Sequence, residues 1–422
     1  MEQQIDAALE GFDRLRLREV RAEGGQTAFL AKFQSIAASL KPDERIKLVI
    51  YAYESSMELL KAVLSHPQAN KICSLLWDYS GEEDVNSIIP LLISNCPELV
   101  SLGLRFKHCS EFDFVSNVLE HPSNKIKVLA MPGSPEGDFA RFFAALGQSQ
   151  VSALALSIGD SYEFDQGLCE YLARDLLVRL KVFMGNEQVP SALMVSLAAC
   201  TRLVKLELIE CEFSQSTVFT LPKSITKLEL EKCTFVGGFD WSFLSDSNVR
   251  ELGLDYVSGV DGKQLGGALA VYLRAKGLDK LQFFYCDFIN ETLAAVGVEL
   301  GRIKRLMISR YLNDASIGLI ALALQSLNSE VKELSLWYDR RSASSIKTHL
   351  VPALKHPNCN LDKLVLWAYD EHKEAAKKVE DMLHNRRALF ALLQGQQVRR
   401  RSSCPLRRLP VEMFRLVGKV LI

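Results

Sequence analysis

The sequence predicts an α/β repeat fold, a solenoid in which short parallel strands alternate with helices. Twelve times between Ile72 and Leu366 the chain repeats one phrase: an apolar residue, two others, Leu, one other and a further apolar residue. The phrases are evenly spaced, with a period of about 26 residues. The segments between them carry apolar residues at helical spacing. The middle leucines of the phrases are Leu75, Leu102, Leu129, Leu154, Leu180, Leu206, Leu228, Leu252, Leu281, Leu306, Leu334 and Leu364.

The first segment, residues 1 to about 70, lacks the phrase. The spacing of apolar residues in 5–12 and in 46–52 predicts helices there. The end repeat of a solenoid leaves its core open to water, so an atypical segment must cover it. We therefore expect residues 1–70 to form an N-terminal helical cap.

The repeats themselves are predicted to span residues 71–370. Each phrase predicts a strand, and the segments 85–92, 139–146, 265–273 and 317–324 predict helices. The step from Leu206 to Leu228 is shorter than the others, and residues 213–223 lack a helical pattern. We expect a turn or an extended segment at that position.

The last segment, residues 371–422, is predicted to be a C-terminal helical extension. A charged helix is expected from Glu371 to Leu393, followed by a basic linker at 394–404 and an apolar tail from Leu406. The extension would cover the last repeat, so that helical caps stand at both ends of the array.

The phrase resembles the L-x-x-L-x-L signature of the leucine-rich repeat family. Cys211, Cys233 and Cys286 each follow the last apolar residue of a phrase by three positions, and Cys96 and Cys200 each precede a phrase. At these turns the chain is similar to the ribonuclease-inhibitor-like and cysteine-containing branches of that family. The resemblance implies a horseshoe or arc, with parallel strands on the concave face, helices on the convex face, and a function in binding.

The tail from Leu409 to Leu421 resembles the opening of an F-box, in which L-P-x-E precedes helically spaced apolar residues. This resemblance implies docking of a Skp1-type adaptor of a ubiquitin ligase. The alternative is an amphipathic helix that packs on the repeat of Leu364 as a cap. The adaptor-binding residues would be Leu409, Pro410, Glu412, Met413, Leu416 and Val417.

Composition narrows the class of partner. The formal net charge is -1 and 48% of the residues are hydrophobic, which favours a protein partner over nucleic acid or a membrane surface. No export signal or membrane-spanning segment is visible, and the ten cysteines form no C-x-x-C pair. Free buried thiols predict a reducing compartment, the cytoplasm or the nucleus, and leave delivery into a host cell open. We expect a monomer.

The candidate partner-binding residues lie at or just beyond the strands of the last five repeats, on the predicted concave face. Trp, Tyr and Arg dominate binding hot spots, so their clustering on one ridge predicts a protein-binding patch. The alternative is that Trp337 and Trp367 pack under the flanking loops. A second cluster at the front of the array offers Tyr79 and Arg105 as contacts, with Trp77 in the core. The patch residues are Asp255, Tyr256, Phe284, Tyr285, Arg305, Met307, Tyr311, Trp337, Tyr338, Arg340, Trp367, Tyr369 and Asp370.

These observations predict a non-catalytic scaffold that recognises a protein through its concave face. The alternative is a substrate receptor of a ubiquitin ligase, or a host-directed effector of that kind, which docks its adaptor through the tail. The sequence offers no phosphate-loop, nucleophile-elbow or zinc-protease motif, and its seven His lack metal-ligand spacing. We expect no catalytic residues, no metal and no cofactor.

Overall fold

The computed structural model describes residues 16–21, 26–42, 44–50, 56–79, 85–106, 111–131, 138–157, 162–214, 217, 219–309, 312–338, 343–368, 377, 379–381 and 384. The chain divides into two compact units, with unit 1 ending at Thr226 and unit 2 beginning at Lys227. Each unit alternates strands with helices, and each is described by itself.

The strands of unit 1 pair with their neighbours in chain order, and every pairing is parallel. Short helices connect them, as a parallel crossover requires. The strands are β1 (Arg16–Arg21), β2 (Glu44–Ile50), β3 (Ile72–Tyr79), β4 (Ser101–Phe106), β5 (Val128–Met131), β6 (Ala153–Ser157), β7 (Arg179–Gln188) and β8 (Lys205–Phe213). The α-helices are Gln26–Ser39, Ser56–Leu64, Ile89–Asn95, Glu111–Glu120, Phe139–Gln148, Tyr162–Leu172 and Ser191–Ala199, with 3-10 turns at Pro67–Lys71 and Val85–Ile88.

Unit 2 continues the same pattern, with β9 and β11 to β15 paired in parallel. Its strands are β9 (Lys227–Glu231), β10 (Thr234–Phe235), β11 (Glu251–Asp255), β12 (Leu278–Phe284), β13 (Ile303–Ser309), β14 (Glu333–Tyr338) and β15 (Lys363–Ala368). Its α-helices are Phe243–Asp246, Gly262–Lys276, Ile289–Val296, Asp314–Gln325, Ala343–Ser345 and Val351–Lys355, with a 3-10 helix at Gly297–Arg302 and a π-helical turn at Ile346–Leu350.

Helix boundaries in unit 2 follow from local side-chain chemistry. The Asp261 carboxylate accepts the backbone N–H groups of Lys263 and Gln264, which caps the first turn of the helix Gly262–Lys276. Gly277 ends that helix with a φ of 70°, a conformation that favours glycine. Asn313 caps the helix Asp314–Gln325 by accepting the N–H of Ser316 at 2.8 Å.

The predicted α/β leucine-rich repeat fold is confirmed. The middle leucines of unit 2 stand opposite one another in register and are buried, so they form a continuous row inside the unit. Full burial of one Leu side chain contributes roughly 1.5–3 kcal/mol, and this row repeats the contribution at every strand. The row consists of Leu228, Leu252, Leu281, Leu306, Leu334 and Leu364.

The N-terminal segment contains strands as well as helices, and the helix predicted at 5–12 lies outside the described residues. Residues 46–52 were predicted to be helical, and that prediction was wrong, because Glu44–Ile50 is strand β2, with Leu48 opposite Leu75. The strand β1 pairs in parallel with β2, with Val20 opposite Leu48. The repeat pattern therefore begins before Ile72. The segment between β8 and β9 carries no helix among its described residues, as expected.

The same turn occurs four times: it follows β9, β11 and β12 and lies within β8. Glu210, Lys232, Tyr256 and Tyr285 each stand two positions after the last core residue of their phrase, with φ between 52° and 55°. We call these the turn residues. The residue that follows each of them is buried, and Cys211, Cys233 and Cys286 fill that place in three of the four repeats.

Backbone and thiol groups hold these turns. The N–H of Lys232 donates to the carbonyl of Asp255 at 2.7 Å, and the N–H of Tyr256 donates to that of Phe284 at 2.8 Å, so each turn bonds to the next repeat. Each turn cysteine donates its thiol to the carbonyl two residues earlier, as Cys286 does to Phe284 at 3.3 Å. Burial raises the pKa of the Cys286 thiol to about 12, so this thiol stays protonated.

The turn conformation makes the identity of the turn residue a stability determinant. Glycine adopts a positive φ without a steric penalty, whereas a β-branched residue is strained there. We expect Lys232→Gly to be more stable than Lys232→Val by at least about 1 kcal/mol, since both variants lose the same lysine side chain. Urea unfolding of the two variants measures this difference, and equal stabilities would contradict the assigned turn.

Candidate functional site

One face of the unit 2 sheet is open. Along β9, buried residues alternate with partly exposed ones, and β15 likewise keeps Leu364 and Leu366 buried while Trp367 is exposed. This alternation is the pattern of a sheet that packs on one face only. In unit 1 the strand β7 alternates in the same way, but all four residues of β5 are buried, as are Ser74, Leu75 and Leu76 on β3. The open sheet face of unit 2 is therefore the candidate site.

The parallel register arranges the side chains of the open face in three rows across the strands. The base row, where the strands begin, consists of Lys227, Glu251, Lys280, Arg305, Glu333 and Lys363. The middle row consists of Glu229, Gly253, Gln282, Met307, Ser335 and Val365. The rim row, where the strands end, consists of Glu231, Asp255, Phe284, Ser309, Trp337 and Trp367. Charge thus dominates the base row, and aromatic rings stand only in the rim row.

Three of the six base-row residues, Lys227, Glu251 and Arg305, form ion pairs within the chain. The Arg305 guanidinium donates to the Glu251 carboxylate at 2.6 Å, and Lys227 lies 3.0 Å from a Glu229 carboxylate oxygen. Partly exposed pairs of this kind contribute only about 0–1 kcal/mol each to stability. They do, however, hold Arg305 against the sheet, so this predicted contact residue already has a partner in its own chain.

Two stacked aromatic pairs lie at the rim. The rings of Tyr256 and Tyr285 are parallel within 7°, with their centroids 4.2 Å apart. The rings of Trp337 and Trp367 lie 6.2 Å apart at 18°. Tyr256 is 52% exposed and Trp367 55%, a large share for side chains of this size. Exposed aromatic rings that stack in pairs make the rim a candidate contact surface.

Asp255 stands where the rim row changes from acidic to aromatic. The register places it opposite Glu231 on one side and Phe284 on the other. Its Oδ1 atom is buried and has no hydrogen-bond partner among the described residues. Burial, followed by the nearby charge of Glu231, raises the pKa of this carboxyl to about 6, against the opposing effect of Lys232.

Unit 1 carries a charged cluster of a different kind. Glu207 accepts from the Lys181 ammonium at 2.8 Å and also pairs with Lys205, and all three side chains are largely buried. These two lysines hold the pKa of the Glu207 carboxyl below its usual range, although burial opposes them. The cluster borders a depression of about 350 Å³ lined by Ala130, Ala153 and neighbouring residues.

The structure brings together eight of the predicted patch residues on or beside the open face: Asp255, Tyr256, Phe284, Tyr285, Arg305, Met307, Trp337 and Trp367. Tyr338 ends β14, and its side chain lies outside the described residues, as do Tyr311, Arg340, Tyr369 and Asp370. The adaptor-binding residues predicted in the tail, Leu409, Pro410, Glu412, Met413, Leu416 and Val417, also lie outside them.

The front cluster behaves differently from its prediction. Tyr79 was predicted to contact a partner, and that prediction was wrong, because Tyr79 is 1% exposed and its ring packs 5.3 Å from that of Trp77. Trp77 is buried in the core, as expected. Arg105 is exposed, which keeps it available as a contact.

Sequence reasoning missed the contact between like charges at the rim. Glu231 on β9 stands opposite Asp255 on β11, so two carboxylates are neighbours in the rim row. The signal was available, because aligning Leu230 with Leu254 places the two residues that follow them side by side. Among the described residues, no group of three or more His, Cys, Asp or Glu could hold a metal ion. None of the described helices is long and apolar enough to cross a bilayer.

The raised pKa of Asp255 predicts a dependence of stability on pH. The pKa of this carboxyl rises from 3.8 to about 6 on folding, so the folded state favours the protonated form. The stability that the protonated carboxyl contributes is fully present below pH 3.8 and is lost as pH rises through 6. Asp255→Asn removes this loss of stability, because the amide does not ionise. We expect its free energy of unfolding to exceed that of the wild type at about pH 7.5, with a clearly smaller gain at about pH 4.5. Urea unfolding at both pH values measures the effect, and a gain that does not change with pH would contradict it.

The similarity of this chain to known proteins is distant. No protein-family model matches the chain. No curated protein matches it either. Among solved structures, the chain is similar to the internalin inlF of Listeria monocytogenes, with 12% sequence identity and a TM-score of 0.36, over 79% of this chain and 94% of that one.

Proposed function

We propose that this chain is a non-catalytic scaffold that binds a protein partner through the open face of unit 2. The observation that carries the proposal is the Trp337–Trp367 pair, in which a stacked ring is 55% exposed at the rim of a sheet whose alternate residues are buried. Tryptophan is the residue most enriched in binding hot spots, and an exposed one gives a partner a large apolar contact.

The geometry of the rim favours binding because its anchors are fixed in advance. Trp337 and Trp367 sit on paired strands, and each ring stacks on the other, so few rotamers remain to be frozen when a partner docks. Immobilising a flexible side chain costs roughly 0.5–1.5 kcal/mol, and rigid anchors avoid most of that cost. Three charged residues of the base row, Lys227, Glu251 and Arg305, already have ion-pair partners within the chain, so the rim is left as the surface for a partner.

The buried thiols support a non-catalytic role. A nucleophilic cysteine needs a low pKa and access to substrate. Burial instead raises the pKa of Cys73 and Cys200 to about 11 and that of Cys96 to about 12. Cys96 and Cys200 are small buried residues at the ends of helices, and Cys73 is a buried residue of β3.

A second candidate function rests on the tail sequence. The run Leu409-Pro410-Val411-Glu412, with apolar residues at helical spacing after it, favours a substrate receptor that links the bound protein to a ubiquitin ligase through a Skp1-type adaptor. In that case the open face would hold the cargo and the tail would hold the adaptor. This function adds to the scaffold and does not replace it.

Affinity capture with matched variants tests the scaffold. Trp367→Ser removes the exposed rim ring, whereas Leu322→Ser removes an apolar side chain with 57% exposure on the helix Asp314–Gln325. We expect Trp367→Ser to weaken the affinity for the captured protein, once that protein is purified, by at least about tenfold. We expect Leu322→Ser to leave the affinity within about twofold of the wild type.

The reverse ranking of these two variants would place binding on the helical side and contradict the proposal. The same capture experiment tests the second function, with a Leu409→Ala, Pro410→Ala double variant as a further arm. Recovery of a Skp1-type adaptor with the wild type but not with this variant would support it. Absence of an adaptor from both the wild-type and the variant samples would contradict the second function without affecting the proposed scaffold function.

A further inference from the structure

The rim of unit 2 places two carboxylates next to an exposed aromatic residue in the chain. Glu231 and Asp255 are neighbours in register, and Tyr256 follows Asp255 directly and stacks on Tyr285. Phe284 continues the rim row on the next strand. We call these five residues the acid–aromatic corner. It lies in the same rim row as the tryptophan pair but differs from it in charge.

The carboxylates of the corner repel each other. Glu231 and Glu229 both raise the free energy of ionised Asp255, and Lys232 and the backbone N–H of Tyr256 oppose them. Two like charges held in cross-strand register are destabilising in an isolated sheet. A cation from another molecule would relieve this repulsion, and the partial burial of Asp255 would strengthen the attraction.

The tyrosine pair adds a flat surface for that cation. One face of Tyr256 stacks on Tyr285, while the side chain as a whole remains 52% exposed. Both tyrosines are turn residues, with φ of 52° and 55°, so the backbone holds their rings at the rim in a conformation that disfavours such side chains. An aromatic face beside carboxylates matches one group best, the guanidinium of arginine, which stacks on rings and bonds carboxylates through its planar fork.

A bare metal ion fits the corner less well. The described residues offer no group of three or more His, Cys, Asp or Glu placed to coordinate one. A lysine ammonium is a compact, strongly hydrated charge and gains less from a ring face than a guanidinium does. The acidic rim also repels the phosphates of a nucleic acid. The chemistry therefore points to a basic protein segment.

Building on the proposed function, we propose that the acid–aromatic corner binds an arginine side chain from a basic segment of the protein partner. The guanidinium would stack on Tyr256 and pair with the carboxylates of Asp255 and Glu231. The tryptophan pair would anchor an apolar part of the same partner farther along the rim row. The partner would thus carry arginine and apolar side chains on one surface.

A peptide titration tests this assignment. The probes are three fluorescein-labelled peptides in which glycine alternates with arginine, with lysine or with citrulline, the neutral analogue of arginine. Fluorescence anisotropy with the full chain gives each affinity. We expect the arginine peptide to bind at least about tenfold more tightly than the citrulline peptide, because the latter keeps the planar shape but loses the charge. The lysine peptide should fall between them.

Variants then locate the site. Asp255→Asn removes one negative charge, and the Tyr256→Asn, Tyr285→Asn double variant removes both rings but keeps a residue that tolerates the turn conformation. Each should weaken binding of the arginine peptide by about five- to tenfold. Glu210→Asn is the matched control, since it removes one negative charge at the equivalent turn of unit 1, where φ is 54°. It should leave the affinity within about twofold of the wild type.

Three results would overturn the proposal: no binding of the arginine peptide, equal binding of the citrulline peptide, or equal loss with Glu210→Asn and Asp255→Asn. Circular dichroism and urea unfolding establish that each variant is folded before it is scored. The outcome is separable from the proposed function. If Trp367→Ser abolishes partner binding while the peptides show no preference for arginine, the scaffold stands and only the arginine assignment fails.

Discussion

The parallel register of the leucine rows is the constraint on which the site depends. Leu252 lies opposite Leu228 and Leu281, and each of these side chains is buried. Because side chains alternate along a strand, fixing these leucines inside also fixes which residues face out and in what order. A slip of one residue in any strand would bury its rim residue and expose its leucine. The order of residues in the rows of the open face is therefore set by the buried leucines and does not depend on contacts among the exposed side chains.

The residues of the candidate site lie where the strands of unit 2 end. After β9, β11 and β12 the chain turns sharply through a turn residue with positive φ, which is followed by a buried residue such as Cys233 or Cys286. Glycine or asparagine would suit that turn best. At two positions the chain carries tyrosine instead, and these are the rings that stack beside Asp255. A local conformational cost at the position of an exposed ring fits a site kept for binding.

Much of this arrangement could be predicted from sequence, and the exceptions have physical reasons. The in-phase leucines predicted every strand from β3 onward except the two-residue β10, and aligned Trp337 with Trp367 before the structure placed them together. The strand Glu44–Ile50 was missed because a short apolar run such as Ile46, Leu48 and Val49 fits a buried helix as well as a strand. The exposure of Tyr79 was misjudged because its strand, β3, is buried on both faces, and the repeat phrase alone does not reveal that. The carboxylate pair of Glu231 and Asp255 depends on cross-strand register, which a reading of one repeat at a time does not display.

Hydroxyl-radical footprinting of the unmodified protein, read by mass spectrometry, tests most directly which side chains this register exposes. Trp367 and Tyr256 should be oxidised quickly, whereas Trp241 and Tyr272, which the same unit buries to 2% exposure or less, should be oxidised slowly. Each comparison is between identical side chains, so intrinsic reactivity cancels. Slow oxidation of Trp367 and Tyr256, at the rate of their buried counterparts, would mean that the rim is covered and would contradict the account.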